Sequence, residues 1–320
     1  MKKISAVLGA LAAAAVMFTG CQKQDLIVGF VQAGHESAWR IANTESFEQA
    51  FGKDSGYILD MHDCNGSRDL QIEVIRKLLD DGVDYLVIAP VVEDGWDEVL
   101  REAKEADVPV ILCDRQISAD SNLYECWVGS YFVGEGRNAV NWLENYLEEI
   151  EWKKERTFIV HLQGTEGSSA QKGRTQGLEE GLRNHPEWKR IGFENGNFSE
   201  SGGYKAMTKI IASVGIDMID VVYAENDDMA IGAIEAIREA GKEPGKDIII
   251  ISFDAGRRAL ELVKQGVINC DVECNPMHGP LVKNIIDQKE KGIEPEKIMN
   301  VKESLYDITN VDEVLETRTY

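Results

Sequence analysis

The chain has 320 residues, enough for two domains or one large one, and its 43% hydrophobic and 28% charged residues are the balance of a folded globular protein, which excludes wholesale disorder. Acidic residues outnumber basic ones 56 to 34, for a net charge of −22. Such a surface repels phosphates, which argues against nucleic-acid partners and against docking on anionic membranes, and leaves neutral ligands open.

At the N-terminus, Lys2 and Lys3 precede an apolar, uncharged run over 4–18, too short and wrongly flanked for an ordinary membrane span. The run ends in Phe18-Thr19-Gly20-Cys21. Small residues just before a cysteine are similar to a bacterial lipobox, here with Phe18 where most have Leu. In a lipobox the cysteine is lipidated and becomes the mature N-terminus. The expectation is a signal peptide over 1–20, a lipidated Cys21, a short tether over 21–25, and an extracytoplasmic lipoprotein held to the membrane by its lipid only. Five further cysteines, Cys64, Cys113, Cys126, Cys270 and Cys274, are too few for a disulfide scaffold, and their odd number leaves at least one thiol free.

From residue 26 the sequence alternates short apolar runs with helical patterns. Strands are expected at 26–31, 57–61, 84–89, 108–113 and 124–128. Helices are expected from the polar turn at 32–40 to about 52, at 67–81 and at 96–106. The rhythm then repeats. A helix at 135–150 is followed by a strand at 157–162, a helix at 170–184, a weak strand near 190 and a helix at 203–214. A strand at 221–224, a helix at 229–240 and a strand at 247–253 come next, then a helix at 256–265, a strand at 267–273 and a helix at 278–290. Apolar runs without polar alternation are buried on both faces, and helices between them make the βαβ pattern of a doubly wound parallel sheet. The repeated rhythm implies two such sheets, an α/β fold with two lobes. Ligands of these folds bind beyond the carboxyl ends of the strands. That rule points to the 32–40 turn, Cys64-Asn65, Pro90, Asp114-Arg115, Gln163-Gly164, Asn226-Asp227-Asp228, Asp254 and Glu273.

Motifs for catalysis are missing from this sequence. It has no Gly-x-Ser-x-Gly elbow and no phosphate loop, and His35, His62, His161, His185 and His278 lack the spacing of a zinc helix. Gly134-x-Gly136-x-x-Ala139 imitates a dinucleotide fingerprint but lies outside a first βαβ unit. Cys270, Cys274 and His278 would align as metal ligands only on one helix, whereas Val272 and Pro276 read as a strand and a break. Asp63-Cys64-Asn65-Gly66 lacks the first calcium ligand, because Met61 stands there. Asp227-Asp228 reads as a cap on a helix dipole. No catalytic residue, cofactor or metal is expected. What remains suits a polyol: Trp39 in a turn beside Arg40 and close to Glu36, the Asp114-Arg115 pair, and Arg174, Asn226 and Asp254 in the second half. An aromatic face packs on the C–H face of a sugar ring, while Arg donates to and Asp accepts from its hydroxyls.

Several strings carry a resemblance. Gly29-Phe-Val-Gln-Ala-Gly-His-Glu-Ser-Ala-Trp-Arg40, Ala89-Pro-Val-Val-Glu-Asp-Gly-Trp96, Leu112-Cys-Asp-Arg115, Ala224-Glu-Asn-Asp-Asp-Met-Ala230 and Val272-Glu-Cys-Asn-Pro276 resemble the type I periplasmic sugar-binding proteins of ABC importers, and within them the galactofuranose-binding subgroup. The resemblance spans about 26–300. It implies the periplasmic binding protein type I fold, two doubly wound parallel-sheet lobes joined by a multi-strand hinge. Lobe one would be 26–131 plus 276–303, and lobe two 132–275 plus 304–320. Crossings are expected near 129–133, 254–257 and 274–277, with a fourth passage near 304. The family's ligand-binding residues fall on Glu36, Trp39, Arg40, Asp114, Arg115, Arg174, Asn226 and Asp254. Cys274 stands where ribose binders usually place Gln, which points away from a plain ribose site. The implied function is capture of a monosaccharide by a monomeric, non-enzymatic receptor that delivers it to an ABC permease. The alternative is a sugar sensor that presents its ligand to a chemoreceptor or a sensor kinase.

Overall fold

The structure, a computed structural model, describes residues 25–320, so the expected signal peptide, the lipidation at Cys21 and most of the tether lie outside the described residues. The first half contains β1 (Leu26–Gln32), α1 (Ala38–Ala50), β2 (Tyr57–Asp63), α2 (Arg68–Asp81), β3 (Tyr85–Ile88), α3 (Asp97–Glu105), β4 (Val110–Cys113) and β5 (Cys126–Gly129). The second half contains α4 (Phe132–Glu149), β6 (Thr157–Gln163), α5 (Ser169–Asn184), β7 (Trp188–Asn195), α6 (Glu200–Val214), β8 (Val221–Ala224), α7 (Asp227–Glu239), β9 (Ile249–Asp254), α8 (Arg257–Lys264) and β10 (Cys270–Glu273). The tail adds α9 (Gly279–Lys289), β11 (Ile298–Asn300), β12 (Leu305–Tyr306) and α10 (Val311–Leu315).

The strands form two six-stranded sheets, in the orders β11-β5-β4-β3-β1-β2 and β12-β10-β9-β8-β6-β7. Every pairing is parallel except β10 with β12. Each sheet is covered on both faces, because successive strand residues point to opposite sides. Phe30 packs with Phe47 and Ile285 on one face of the first sheet, and its neighbour Val31 with Ile75 and Leu100 on the other. In the second sheet Val222 faces α6 and α7 through Met207 and Ile234, while Tyr223 faces α4 and α5 through Leu143 and Leu178.

Departures from the expected pattern have physical causes. The weak strand near 190 is the eight-residue β7. It lies at a sheet edge, so its polar residues face water. The helix expected from 203 starts at Glu200, because Ser199 Oγ accepts from Gly202 N–H and caps it. β11 and β12 are too short to leave an apolar pattern in the sequence. The crossing expected near 254–257 does not occur, since α8 leads from β9 to β10, its parallel neighbour in the same sheet. The chain passes between sheets after β5, after β10, where α9 packs on α1 of the first half, and between β11 and β12. Gly136 is not part of a nucleotide loop. It lies inside α4, where a Cβ would come within 2.8 Å of the Arg174 carbonyl, so its function is close packing of α4 on α5. The five cysteines after Cys21 are all buried free thiols. Among the described residues no helix is long and apolar enough to cross a membrane.

Candidate functional site

β1 lies between β2 and β3, and β6 lies between β7 and β8. At each such point neighbouring connections diverge and leave a crevice beyond the strand ends. The two crevices face one another across a narrow cleft lined by residues of both halves. All eight residues singled out from the sequence line it: Glu36, Trp39, Arg40, Asp114, Arg115, Arg174, Asn226 and Asp254.

Local structure positions each of them. Ser37 Oγ accepts from Arg40 N–H and starts α1, so Trp39 and Arg40 stand in a helical first turn rather than in the expected loop. Arg40 donates from Nη2 to Asp114 Oδ2 at 2.6 Å. Asp114 follows β4 with φ 64°, a left-handed conformation unusual for a residue with a Cβ. Arg115 donates to Glu36 Oε1 at 3.2 Å and to the Val91 carbonyl. In the second half Arg174, on α5, donates to Glu135 Oε2 at 2.7 Å, to Asp254 Oδ1 at 3.2 Å and to the Glu225 carbonyl. Asn226 caps α7 through Met229 N–H and donates to the Phe198 carbonyl. Asp227 and Asp228 occupy the first turn of α7, as a dipole cap would, but each has a further partner. Asp227 accepts from Ser252 and Gly256, and Asp228 accepts from Ala38 N–H across the cleft.

The electrostatics are balanced. Three arginines face three carboxylates in the lining, and the arginines are at most 3% exposed. Burial works against the Arg40 charge, but Asp114 and Glu36 outweigh it and raise its pKa above the ordinary guanidinium value. Burial likewise opposes the Arg174 charge and is outweighed by Glu135 and Asp254. Arg115 moves the other way, lowered by burial and by the neighbouring Arg40 charge. Burial favours protonated Glu36, but Arg40 and Arg115 bring it below its usual value. Asp254 is raised by burial against the pull of Arg174, which is shared with the nearer Glu135. A lining in which three guanidinium groups meet three carboxyl groups, rich in both donors and acceptors, fits a neutral polyhydroxylated molecule better than an ion.

Sequence reasoning missed two aromatic walls. Phe198 sits after β7 at φ 57°, and its ring packs against Gly164, where a Cβ would come within 1.9 Å of it. Arg115 lies over that ring at 5.3 Å. Phe132, at the start of α4, packs beneath Arg174 at 5.6 Å. The signal for Phe198 was its place just past a strand, hidden because that strand was read as weak. Trp39 donates its indole N–H to the Cys274 carbonyl at 2.6 Å, and Cys274 also lines the cavity. The lobes are closed on one another: Gln116 N–H meets Ser169 Oγ at 2.8 Å, and Glu93 N–H meets the Gly167 carbonyl at 3.1 Å.

Comparison with known proteins agrees with this architecture. The periplasmic binding protein domain family matches residues 28–276. The galactofuranose-binding protein YtfQ of Escherichia coli (strain K12) is 38% identical over 310 residues, 96% of each chain. A crystal structure from Mycobacterium smegmatis in complex with β-D-fucofuranose superposes with a TM-score of 0.87 at 37% identity, covering 92% of this chain and 95% of that one. The binding protein of the arabinose ABC transporter from Shewanella sp. ANA-3, bound to α- and β-L-arabinofuranose, gives a TM-score of 0.85 at 33% identity over the same shares. YtfQ and the Shewanella protein are named as binding proteins. The two-lobed fold, the family match over most of its length and the near-complete alignment with YtfQ together mean that this chain belongs to the periplasmic binding protein domain family.

Proposed function

We propose that the protein is an extracytoplasmic receptor that captures a monosaccharide in furanose form between its lobes and delivers it to an ABC permease, tethered to the membrane by a lipid on Cys21. Lobe one is 26–131 plus 276–303, and lobe two is 132–275 plus 304–320. The reading rests above all on one observation, the cleft in which each lobe supplies an Arg–Asp pair, Arg40 with Asp114 and Arg174 with Asp254. Arg115 and Asn226 supply further polar groups, Glu36 steadies Arg115 and Arg40, and Trp39 supplies an aromatic surface. The furanoses named for the relatives support the choice of ring form.

A thermal-shift screen tests this. A ligand that binds only the native state at a thousandfold excess over its Kd adds about 4 kcal/mol. At about 2 °C per kcal/mol the midpoint rises by roughly 5–10 °C. Galactose, fucose or arabinose should produce the shift. A response confined to amino acids or peptides would overturn the reading.

A further inference from the structure

The three passages between the sheets meet at one polar cluster. Glu303, between β11 and β12, accepts through Oε1 from Ser130 Oγ at 2.5 Å and from Asn275 N–H at 2.9 Å. Ser130 follows β5 and Asn275 follows β10, so one carboxylate ties all three passages together. Ser130 Oγ also lies 3.3 Å from Cys274 Sγ. A second carboxylate, Glu135 of α4, joins the cluster: a carboxylate oxygen of Glu135, the Cys274 Sγ and a carboxylate oxygen of Glu303 all lie within 4.8 Å of one another. Glu135 is only 3% exposed, and its Oε1 has no hydrogen-bond partner.

Charges reach this cluster from every side. Glu135 comes from α4, Arg174 from α5, Glu303 from the β11–β12 passage and the Cys274 thiol from the end of β10. Asp254, at the end of β9, acts on Cys274, and Asp114, after β4, acts on Glu135. One cation, Arg174, serves Glu135 and Asp254 together. Two carboxylates this close, Glu135 buried and Glu303 half-buried, resist ionising together. Burial raises Glu135 as well, but Arg174 bonds it and pulls it back, whereas no cation among the described residues bonds Glu303, so the shared proton belongs on Glu303.

We propose that closing the lobes takes up one proton at Glu303, so that the hinge couples sugar capture to pH. The inference rests on the sugar-receptor reading above. Rotation at the passages separates Ser130, Asn275 and Glu303 and admits water, and the Glu303 carboxyl then ionises as an ordinary carboxylate. Closure returns it to Glu135. In the closed structure burial, and then the Glu135 charge, push Glu303 up to about 8, against Ser130, the Asn275 amide and Arg174. Burial pushes Cys274 well up, so it remains a thiol. The sign follows. The closed state has the higher pKa, so it binds the extra proton between the ordinary carboxylate range and about 8, and closure weakens as pH rises through that window. One proton corresponds to a slope of up to about tenfold in Kd per pH unit.

The test is calorimetric titration with L-arabinose and D-galactose, in EDTA, at pH 6, 7 and 8 and in buffers of different ionisation heat. The wild type should take up close to one proton per sugar at pH 7, and its affinity should fall several-fold or more from pH 6 to pH 8. Glu303→Gln should bind sugar without proton uptake and with a flat pH profile. Ser130→Ala, which keeps both acids and removes a donor to Glu303, should still take up a proton, with its profile displaced to higher pH. Sugar binding without proton uptake in the wild type, or uptake unchanged in Glu303→Gln, would overturn this inference alone. Failure to bind any sugar at any pH would overturn the receptor reading and this inference with it.

Discussion

Asp114 and Asp254 occupy the same place in the two halves of the molecule. Asp114 follows the fourth strand of its half, and Asp254 ends the fourth strand of the other. Both have positive φ, 64° and 109°. Both accept from an arginine on the helix after the first strand of their half, Arg40 at 2.6 Å and Arg174 at 3.2 Å. Such backbone conformations cost of order 1–3 kcal/mol each and persist where the surroundings hold them. Here they aim two carboxylates at one cavity from opposite lobes.

Replacing either member of a pair should therefore weaken sugar binding. A hydrogen bond to a charged group contributes about 1.5–3 kcal/mol. Asp114→Asn or Arg174→Ala should raise Kd roughly tenfold to a hundredfold or more by calorimetry. Asp114→Asn should also lower the melting point, because Arg40 is left buried with only Glu36 to offset it. Wild-type affinity in both variants would remove these pairs from the site.

Gly164 sets the position of Phe198. Gly164→Ala places a methyl where the Phe198 ring now lies, and the ring has to leave the cavity wall. Sugar affinity should fall at least severalfold, with the circular dichroism spectrum unchanged. Phe198→Ala should lose a similar amount, and the two substitutions should not add, since both act through the same ring. Additive losses would mean that Gly164 acts by another route.

A buried carboxylate pair predicts the pH dependence of stability. Asp227 is raised by burial and then by the Asp271 charge, and Asp271 is raised to about 8 by burial and by the Asp254 charge, against a hydrogen bond with Asp227 that lowers it. Folded-state values above unfolded ones give stability that is complete at low pH and lost as pH rises from the ordinary carboxylate range to about 8. Asp271→Asn keeps the shape and removes one charge, so its melting point should exceed that of the wild type by an amount that grows from pH 5 to pH 8.5. A constant or shrinking difference would contradict the shared-proton account.

The lipid anchor has its own test. Cys21→Ser should release a soluble protein that still binds sugar. A variant as membrane-bound as the wild type would end the lipoprotein proposal.

Much of this was legible in the sequence because parallel strands buried on both faces leave unbroken apolar runs, as at 85–88, 110–113 and 221–224. The post-strand rule then led to Asp114, Asn226 and Asp254 without any coordinates. The hinge was less legible. Its residues, Ser130, Cys274, Asn275 and Glu303, lie in irregular segments far apart in sequence and meet only when the two sheets are in place. β11 and β12 escaped notice because three-residue and two-residue strands have no period to detect. Asp227 looked like a simple cap because its buried partner Asp271 is 44 positions away.

The central claim is that a sugar is held as a furanose between the lobes. It is tested most directly by the carbon-13 spectrum of C1-labelled D-galactose mixed with a slight excess of protein. Galactose in water is mostly pyranose, and a site for the minor ring form draws on that fraction alone. The account predicts bound anomeric resonances in the furanose range that vanish in Asp114→Asn. Bound resonances in the pyranose range, or a spectrum identical to free galactose alongside the same result for fucose and arabinose, would contradict it.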